Sequence, residues 1–181
     1  MGRVDQGVSD SRGRYRVIPR TLCFITHGED LLLLRGAPDK RIWPNQYNGI
    51  GGHIEPDEDV LTAALREIHE ETGLEVHELR LRGVINVSVG EAEAGIFLFV
   101  FTAQATSRCF TPSPEGTLEW VPLEQVMEGD FVDDLVEDLP LILPRLLSLP
   151  ADEPPFFAHY AYDRNDELIV TFAGHAPPSV P

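Results

Sequence analysis

The stretch from Gly52 to Leu74 limits the possible folds of this chain more than any other. From Asp57 to Thr72 the residue pattern predicts a helix, entered through Pro56, with acidic residues in its first turn and Gly73 as a left-handed cap. Leu61, Leu65 and Ile68 recur on one face, which is expected to meet the core. Glu67, Glu70 and Glu71 stand at i, i+3 and i+4, so three carboxylates gather on one side. The plain alternative is an exposed acidic stripe. If the carboxylates converge, they demand a cation. Hard oxygen donors suit Mg²⁺, or Mn²⁺, held by one or two carboxylates with water and a phosphorylated ligand. Such an ion neutralises a polyphosphate and activates an attacking water. Arg66, beside Glu67, is placed to turn back and orient it, and Glu58 to support the junction of loop and helix.

Strand-like segments flank this helix on both sides. Val17 to Thr26 and Leu31 to Leu34 read as paired strands around a polar turn, followed by a structured loop from Gly36 to Gly52 that is dense in Gly, Pro and Asn. Gly83 to Val89 and Gly95 to Ala105 read as strands, the second apolar enough for a sheet covered on both faces. Leu118 to Val121 reads as another strand, Asp133 to Leu147 as a second helix interrupted by Pro140 and Pro144, and Phe156 to Phe172 as a closing hairpin. The expected class is α+β, a mixed β-sheet sandwiched between α-helices. Residues 1–14 are expected to form a mobile tail, 15–175 one domain and 176–181 a second tail.

Composition narrows the partners. A formal net charge of -16 argues against a nucleic acid polymer, which is bound mainly through clustered Lys and Arg. A free nucleotide remains open, because divalent cations bridge like charges. Cys23 and Cys109 give no disulfide framework or thiolate metal pattern. No secretory signal or membrane span is evident, so a cytoplasmic protein, monomer or homodimer, is expected. His27, His53, His69, His77, His159 and His175 form no ligand pair and are assigned no metal.

The spacing Gly52, five residues, Glu58, seven residues, Arg66-Glu67-Ile68-His69-Glu70-Glu71-Thr72-Gly73-Leu74 is similar to the Nudix box at each of its fixed positions. The resemblance implies a Nudix fold and a Mg²⁺-dependent hydrolase of diphosphate linkages, with the Gly51 carbonyl as a further metal ligand. Tyr47 to Gly52, Glu115 ahead of Glu119-Trp120, Asp130 to Asp134 and Phe157 to Tyr160 also resemble the MutT-homologue 8-oxo-purine nucleoside triphosphatases. That likeness implies that Asn48, Phe131, Asp133 and Asp134 read the base. An amide pairs with a purine edge, a ring stacks on it, and adjacent carboxyls offer both donor and acceptor. Asp133 and Asp134 equally suit the start of a helix. Glu115 corresponds to an extra metal ligand or base candidate, or is a solvated loop charge; Arg35 is a phosphate contact or a surface arginine.

This sequence departs from that pattern in two places. Asn86 and Ser88 stand on a strand where those enzymes place aromatic walls, and His53 replaces a Lys. Residues 75–94 contain neither Pro nor Tyr, lacking the markers of the ADP-ribose and dinucleoside-polyphosphate subfamilies. The expected reaction is cleavage of an oxidised or noncanonical nucleoside triphosphate, such as 8-oxo-dGTP, to monophosphate and pyrophosphate. Alternatives are hydrolysis of nucleoside diphosphates, nucleotide sugars or another diphosphate compound, a ligand-binding module without turnover and, last, an isomerase.

Overall fold

The computed structural model describes residues 13–88 and 94–174. Most of the first expected tail, the second tail, Val89 and His175 lie outside them. The described chain runs through β1 (Arg16–His27), β2 (Asp30–Gly36), β3 (Tyr47–Asn48), α1 (Val60–Thr72), β4 (Val76–Ser88), β5 (Ala94–Ala105) and β6 (Gly116–Pro122). It continues through α2 (Leu123–Met127), a 3-10 turn (Gly129–Asp134), α3 (Leu139–Ser148), β7 (Phe156–Tyr162) and β8 (Leu168–Phe172).

The strands form one mixed sheet in the order β3-β2-β1-β5-β4-β7-β8, with β6 beside β2. β1 runs parallel to β5 from Arg16 opposite Ala94 to Thr26 opposite Gln104, β7 runs parallel to β4, and the remaining strand pairs are antiparallel. Alternation along β1 divides the core. Cys23 and Ile25 face α1 together with Phe101, Ala103 and Leu118, while Leu22 and Phe24 face α3 together with Ile85 and Val100. Helix, sheet and helix therefore form three layers, as the sequence led one to expect.

Four expectations are corrected. First, α1 begins at Val60, because the Asp59 carboxylate caps it, accepting from the backbone N–H groups of Leu61 at 2.9 Å and Thr62 at 3.1 Å. The acidic residues before it lie outside the first turn, whereas Gly73, at φ 68°, is the left-handed cap. Second, Leu61 and Leu65 do not face the core; they are 46% and 44% exposed. Ala63, Ala64, Ile68, Glu71 and Thr72 are buried instead, and the small Ala63 and Ala64 let the helix lie close to the sheet. Third, the second helix is shorter than Asp133–Leu147. Leu135 is extended at ψ 153°, and α3 starts with Pro140 in its first turn, where a missing N–H costs nothing, and continues through Pro144. β4 is longer than expected, because its bulged, polar first half still pairs with the end of β5. No described helix is long and apolar enough to cross a membrane.

Ile68→Ala should cost about 2–4 kcal/mol in urea unfolding, and Leu65→Ala less than about 1 kcal/mol. Equal losses would restore Leu65 to the core.

Candidate active site

Residues Ile50 to Gly52 are laid against β1 by the backbone bonds Thr21 N to Gly52 O at 2.9 Å, Cys23 N to Ile50 O at 2.6 Å and Ile50 N to Cys23 O at 3.0 Å. This close approach explains both glycines. A Cβ on Gly51 would stand 2.2 Å from the Thr21 carbonyl oxygen, and one on Gly52 would stand 2.5 Å from Glu67 Oε1. At Gly51 and Gly52 the loop therefore passes between β1 and the acidic face of α1 with no side chain in the way.

Arg66 organises that face. Its Nε donates to Glu58 Oε2 at 3.0 Å and its Nη2 to Glu58 Oε1 at 2.6 Å, a bidentate pair; Nη2 also reaches the His53 carbonyl at 3.0 Å. Nη1 donates to Glu67 Oε1 at 2.9 Å and Glu70 Oε2 at 3.0 Å. These five contacts use the whole donor capacity of a guanidinium, so Arg66 positions carboxylates and has nothing left for a ligand. Glu58, whose carboxyl Arg66 holds below its ordinary value, anchors the other end by accepting from the Glu55 N–H at 2.9 Å.

Glu71 is the anomaly. It is 7% exposed, and its Oε2 is buried without a hydrogen-bond partner. Burial first, then the charges of Glu115 and Glu67, push its carboxyl up to about 8, against a smaller opposing effect of the Gly51 backbone. A divalent cation would relieve both the orphaned oxygen and the repulsion, so the donor set fits Mg²⁺. Among the described residues no three acidic groups already surround one point. Glu67 and Glu70 are engaged by Arg66, and Glu115 by Lys40 at 2.7 Å. Glu70 is the open member, with its side chain 57% exposed. Beneath them Cys23 is fully buried, and burial with the charges of Glu71 and Glu67 keeps its thiol protonated, which removes it as a nucleophile.

Two adjoining cavities open from this loop. The larger, about 320 Å³, is lined by Glu71, Glu115, Arg20 and Lys40; the smaller, about 150 Å³, by apolar Leu22, Val87, Ile96 and Leu98 with polar Glu137, Asp138 and Tyr160. Arg20, Trp43, Asn48, Gly49 and Gly51 line both, so they meet at the glycine loop. One end is ionic and the other is walled largely by apolar side chains. Burial and the charge of Glu137 raise the Asp138 carboxyl from 3.8 to about 6, and Glu137 Oε1 accepts from the Tyr162 hydroxyl at 2.7 Å.

The structure brings together Glu67, Glu71, Glu115, Gly51 and Asn48, with Arg66 and Glu70 alongside. It separates the others. Arg35 lines neither of these cavities; its Nε donates to the Asn45 carbonyl at 3.2 Å and its guanidinium lies over the Tyr47 ring. Phe131 packs on Tyr47 with ring centroids 4.9 Å apart and is not a cavity wall. Asp133 and Asp134 are exposed on the 3-10 turn, and the acidic pair at the cavity is Glu137 and Asp138. The displacement follows from Leu135 and Val136, which are buried, with the Val136 N–H bonded to the Tyr47 carbonyl at 3.0 Å. That anchor turns the next acidic pair, and not the previous one, toward the cavity. Its signal in the sequence is Leu139, which starts α3 directly behind Asp138. Asn86 and Ser88 bond Tyr15 and His159, and Val87 between them is the wall. Sequence reasoning also missed Arg20, Lys40, Trp43, Tyr160 and Tyr162. Trp43 carries φ 53°, unusual for a bulky residue and readable only from the backbone.

The sequence model of the NUDIX domain matches residues 17–145. The chain belongs to the Nudix family. It is a Nudix pyrophosphohydrolase, 27% identical over 150 residues to the oxidized purine nucleoside triphosphate hydrolase of Mus musculus, spanning 82% of this chain and 89% of that protein. It is 52% identical over 46 residues to the m7GpppN-mRNA hydrolase NUDT17 of Danio rerio, only 25% of this chain and 15% of that protein. The MutT protein of Bacillus halodurans superposes with a TM-score of 0.72 at 22% identity, covering 88% of this chain and all of that one, a likeness of fold.

In this Nudix hydrolase the raised Asp138 sets a pH dependence. Its ionised form is disfavoured in the fold, a cost that is absent below its ordinary value of 3.8 and complete above about 6. Asp138→Asn should therefore gain stability progressively between about pH 4 and pH 6, and no more at higher pH, in thermal melts across that range. A pH-independent difference would show that Asp138 is not the desolvated group.

Proposed function

We propose that the chain hydrolyses an oxidised or noncanonical nucleoside triphosphate, of the 8-oxo-dGTP type, to the monophosphate and pyrophosphate. The observation that carries this reading is the junction of an ionic cavity with a ring-sized one at Asn48 and the double glycine. The phosphate chain lies toward Arg20, Lys40 and the glutamates, and the base lies against Leu22, Leu98 and Val87 under the polar wall of Glu137 and Asp138. Gly51, Glu67, Glu70, Glu71 and Glu115 are the residues that would hold Mg²⁺, with Mn²⁺ an alternative by donor chemistry. When bound, the cation supplies charge neutralisation at phosphorus and a more acidic water. Arg66 keeps Glu67 and Glu70 in place, and Glu70, the most accessible carboxylate, is the candidate to take the proton of the attacking water. Arg20 and Lys40 face the charge that develops on the phosphates.

Glu71→Gln tests both the cation and the fold. Turnover should fall by about a hundredfold or more with Mg²⁺ present, while the melting temperature at neutral pH without metal should rise, because the variant no longer has to take up a proton, or bury a charge, on folding. Unchanged turnover would remove Glu71 from the site. The substrate is tested by Mg²⁺-dependent product release from 8-oxo-dGTP, ordinary dNTPs, nucleoside diphosphates and nucleotide sugars. A preference for 8-oxo-dGTP supports the proposal; a preference for a nucleotide sugar or a diphosphate rejects it.

A further inference from the structure

Among the described residues three side-chain atoms are buried with no hydrogen-bond partner: Glu71 Oε2, Arg145 Nε and Tyr160 Oη. Glu71 belongs to the cation end. Arg145 stacks its guanidinium 4.6 Å from the Phe172 ring centroid, away from both cavities. Tyr160 is different. It is 2% exposed, it lines the smaller cavity with Asp138, and a buried phenol without a partner costs stability.

The neighbouring polar groups define what is missing. The Tyr162 hydroxyl is already given to Glu137, and Asn48 Oδ1 is already taken by the Gly49 N–H at 2.8 Å, leaving the Asn48 amide hydrogens for a ligand. Burial and the charge of Asp138 keep the Tyr160 phenol protonated, so it offers an O–H that needs an acceptor. Glu137 and Asp138, once ionised, are acceptors that need N–H donors. A ligand satisfying all of them presents a carbonyl oxygen beside ring N–H groups, the lactam edge of a base. We infer that the Tyr160 hydroxyl donates to the carbonyl oxygen of a bound base, making Tyr160 a specificity residue that favours lactam-bearing bases over those with an amino group alone. This rests on the smaller cavity being the base site.

Tyr160→Phe removes one oxygen and keeps the ring. Calorimetric affinities for dGMP, 8-oxo-dGMP and dIMP, which carry the lactam, and for dAMP, which does not, would be measured on both proteins with thermal melts of each. The variant should bind the lactam monophosphates about tenfold more weakly, bind dAMP within about twofold of the parent, and melt at the same or a higher temperature. Unchanged lactam affinity in the variant, with the parent still preferring those bases, overturns the role of Tyr160 and leaves the base cavity standing. Equal weakening on all four ligands also overturns it, since the hydroxyl would then only shape the cavity. If the parent shows no base preference and Asp138→Asn alters none of the affinities, the base cavity falls and the inference with it.

Discussion

The three backbone bonds between the Ile50–Gly52 loop and Thr21 and Cys23 of β1 determine where everything else in the site can be. Held there, the loop lies on the carboxyl of Glu67, covers Glu71, and carries Asn48 and Gly49 to the junction of the two cavities. No helix could do this, because a helix cannot bring bare backbone between a strand and another helix. The two glycines leave room for that approach, and Ile50, fully buried against Cys23 and Phe101, anchors it in the core. A shift of the loop would move the metal donors and the cavity junction together.

On this frame the charges are arranged against their own repulsion. The chain carries a net charge of -16, yet Arg20 and Lys40 line the ionic cavity and Arg66 lies beside it. Arg66 is saturated by Glu58, Glu67, Glu70 and the His53 carbonyl, so it acts as a fixed brace. Lys40 has one carboxylate partner, Glu115, and both side chains are substantially exposed, so an exchange of partners costs little. A phosphate chain and a divalent ion arriving together would take Lys40 and Glu115 respectively, replacing one weak ion pair with two stronger contacts. The ion pair keeps both groups beside the ionic cavity, where the proposed reading needs them.

The legibility of this arrangement divides along the same line. Glu67, Glu70, Glu71, Arg66 and the glycines were readable because their geometry is local: helical spacing and a loop with no side chains. The three-layer sheet was readable because β1 and β5 are apolar through both faces. Features decided by contacts between distant segments were not. Leu61 and Leu65 satisfy the helical pattern as well as Ile68 does, and only the close fit of Ala63 and Ala64 to the sheet shows which side is buried. Asp133-Asp134 and Glu137-Asp138 are indistinguishable as acidic pairs until the Val136 to Tyr47 bond shows how the segment is turned. Arg20 is an ordinary strand arginine in sequence, and it reaches both cavities only because the glycine loop crosses β1 beside it.

The two ends of the site store their cost in the same form and release it to different ligands. Glu71 is a carboxylate raised by burial and by like charges, which a cation relieves. Asp138 is a carboxylate raised by burial and by Glu137, which a cation would also relieve but an apolar cavity does not attract; N–H donors on a ring relieve it instead. Both make the empty fold less stable than it would be with neutral side chains, the usual price of a preorganised site. The two groups line adjoining cavities that share Arg20, Trp43, Asn48, Gly49 and Gly51, so on the proposed reading a ligand that relieves only one leaves the cost of the other in place. On that reading a bare polyphosphate would leave the burial cost of Asp138 in place, and a nucleoside would leave that of Glu71. On the proposed reading, selectivity for a molecule carrying both a phosphate chain and a hydrogen-bonding ring would follow from these two desolvated carboxyls.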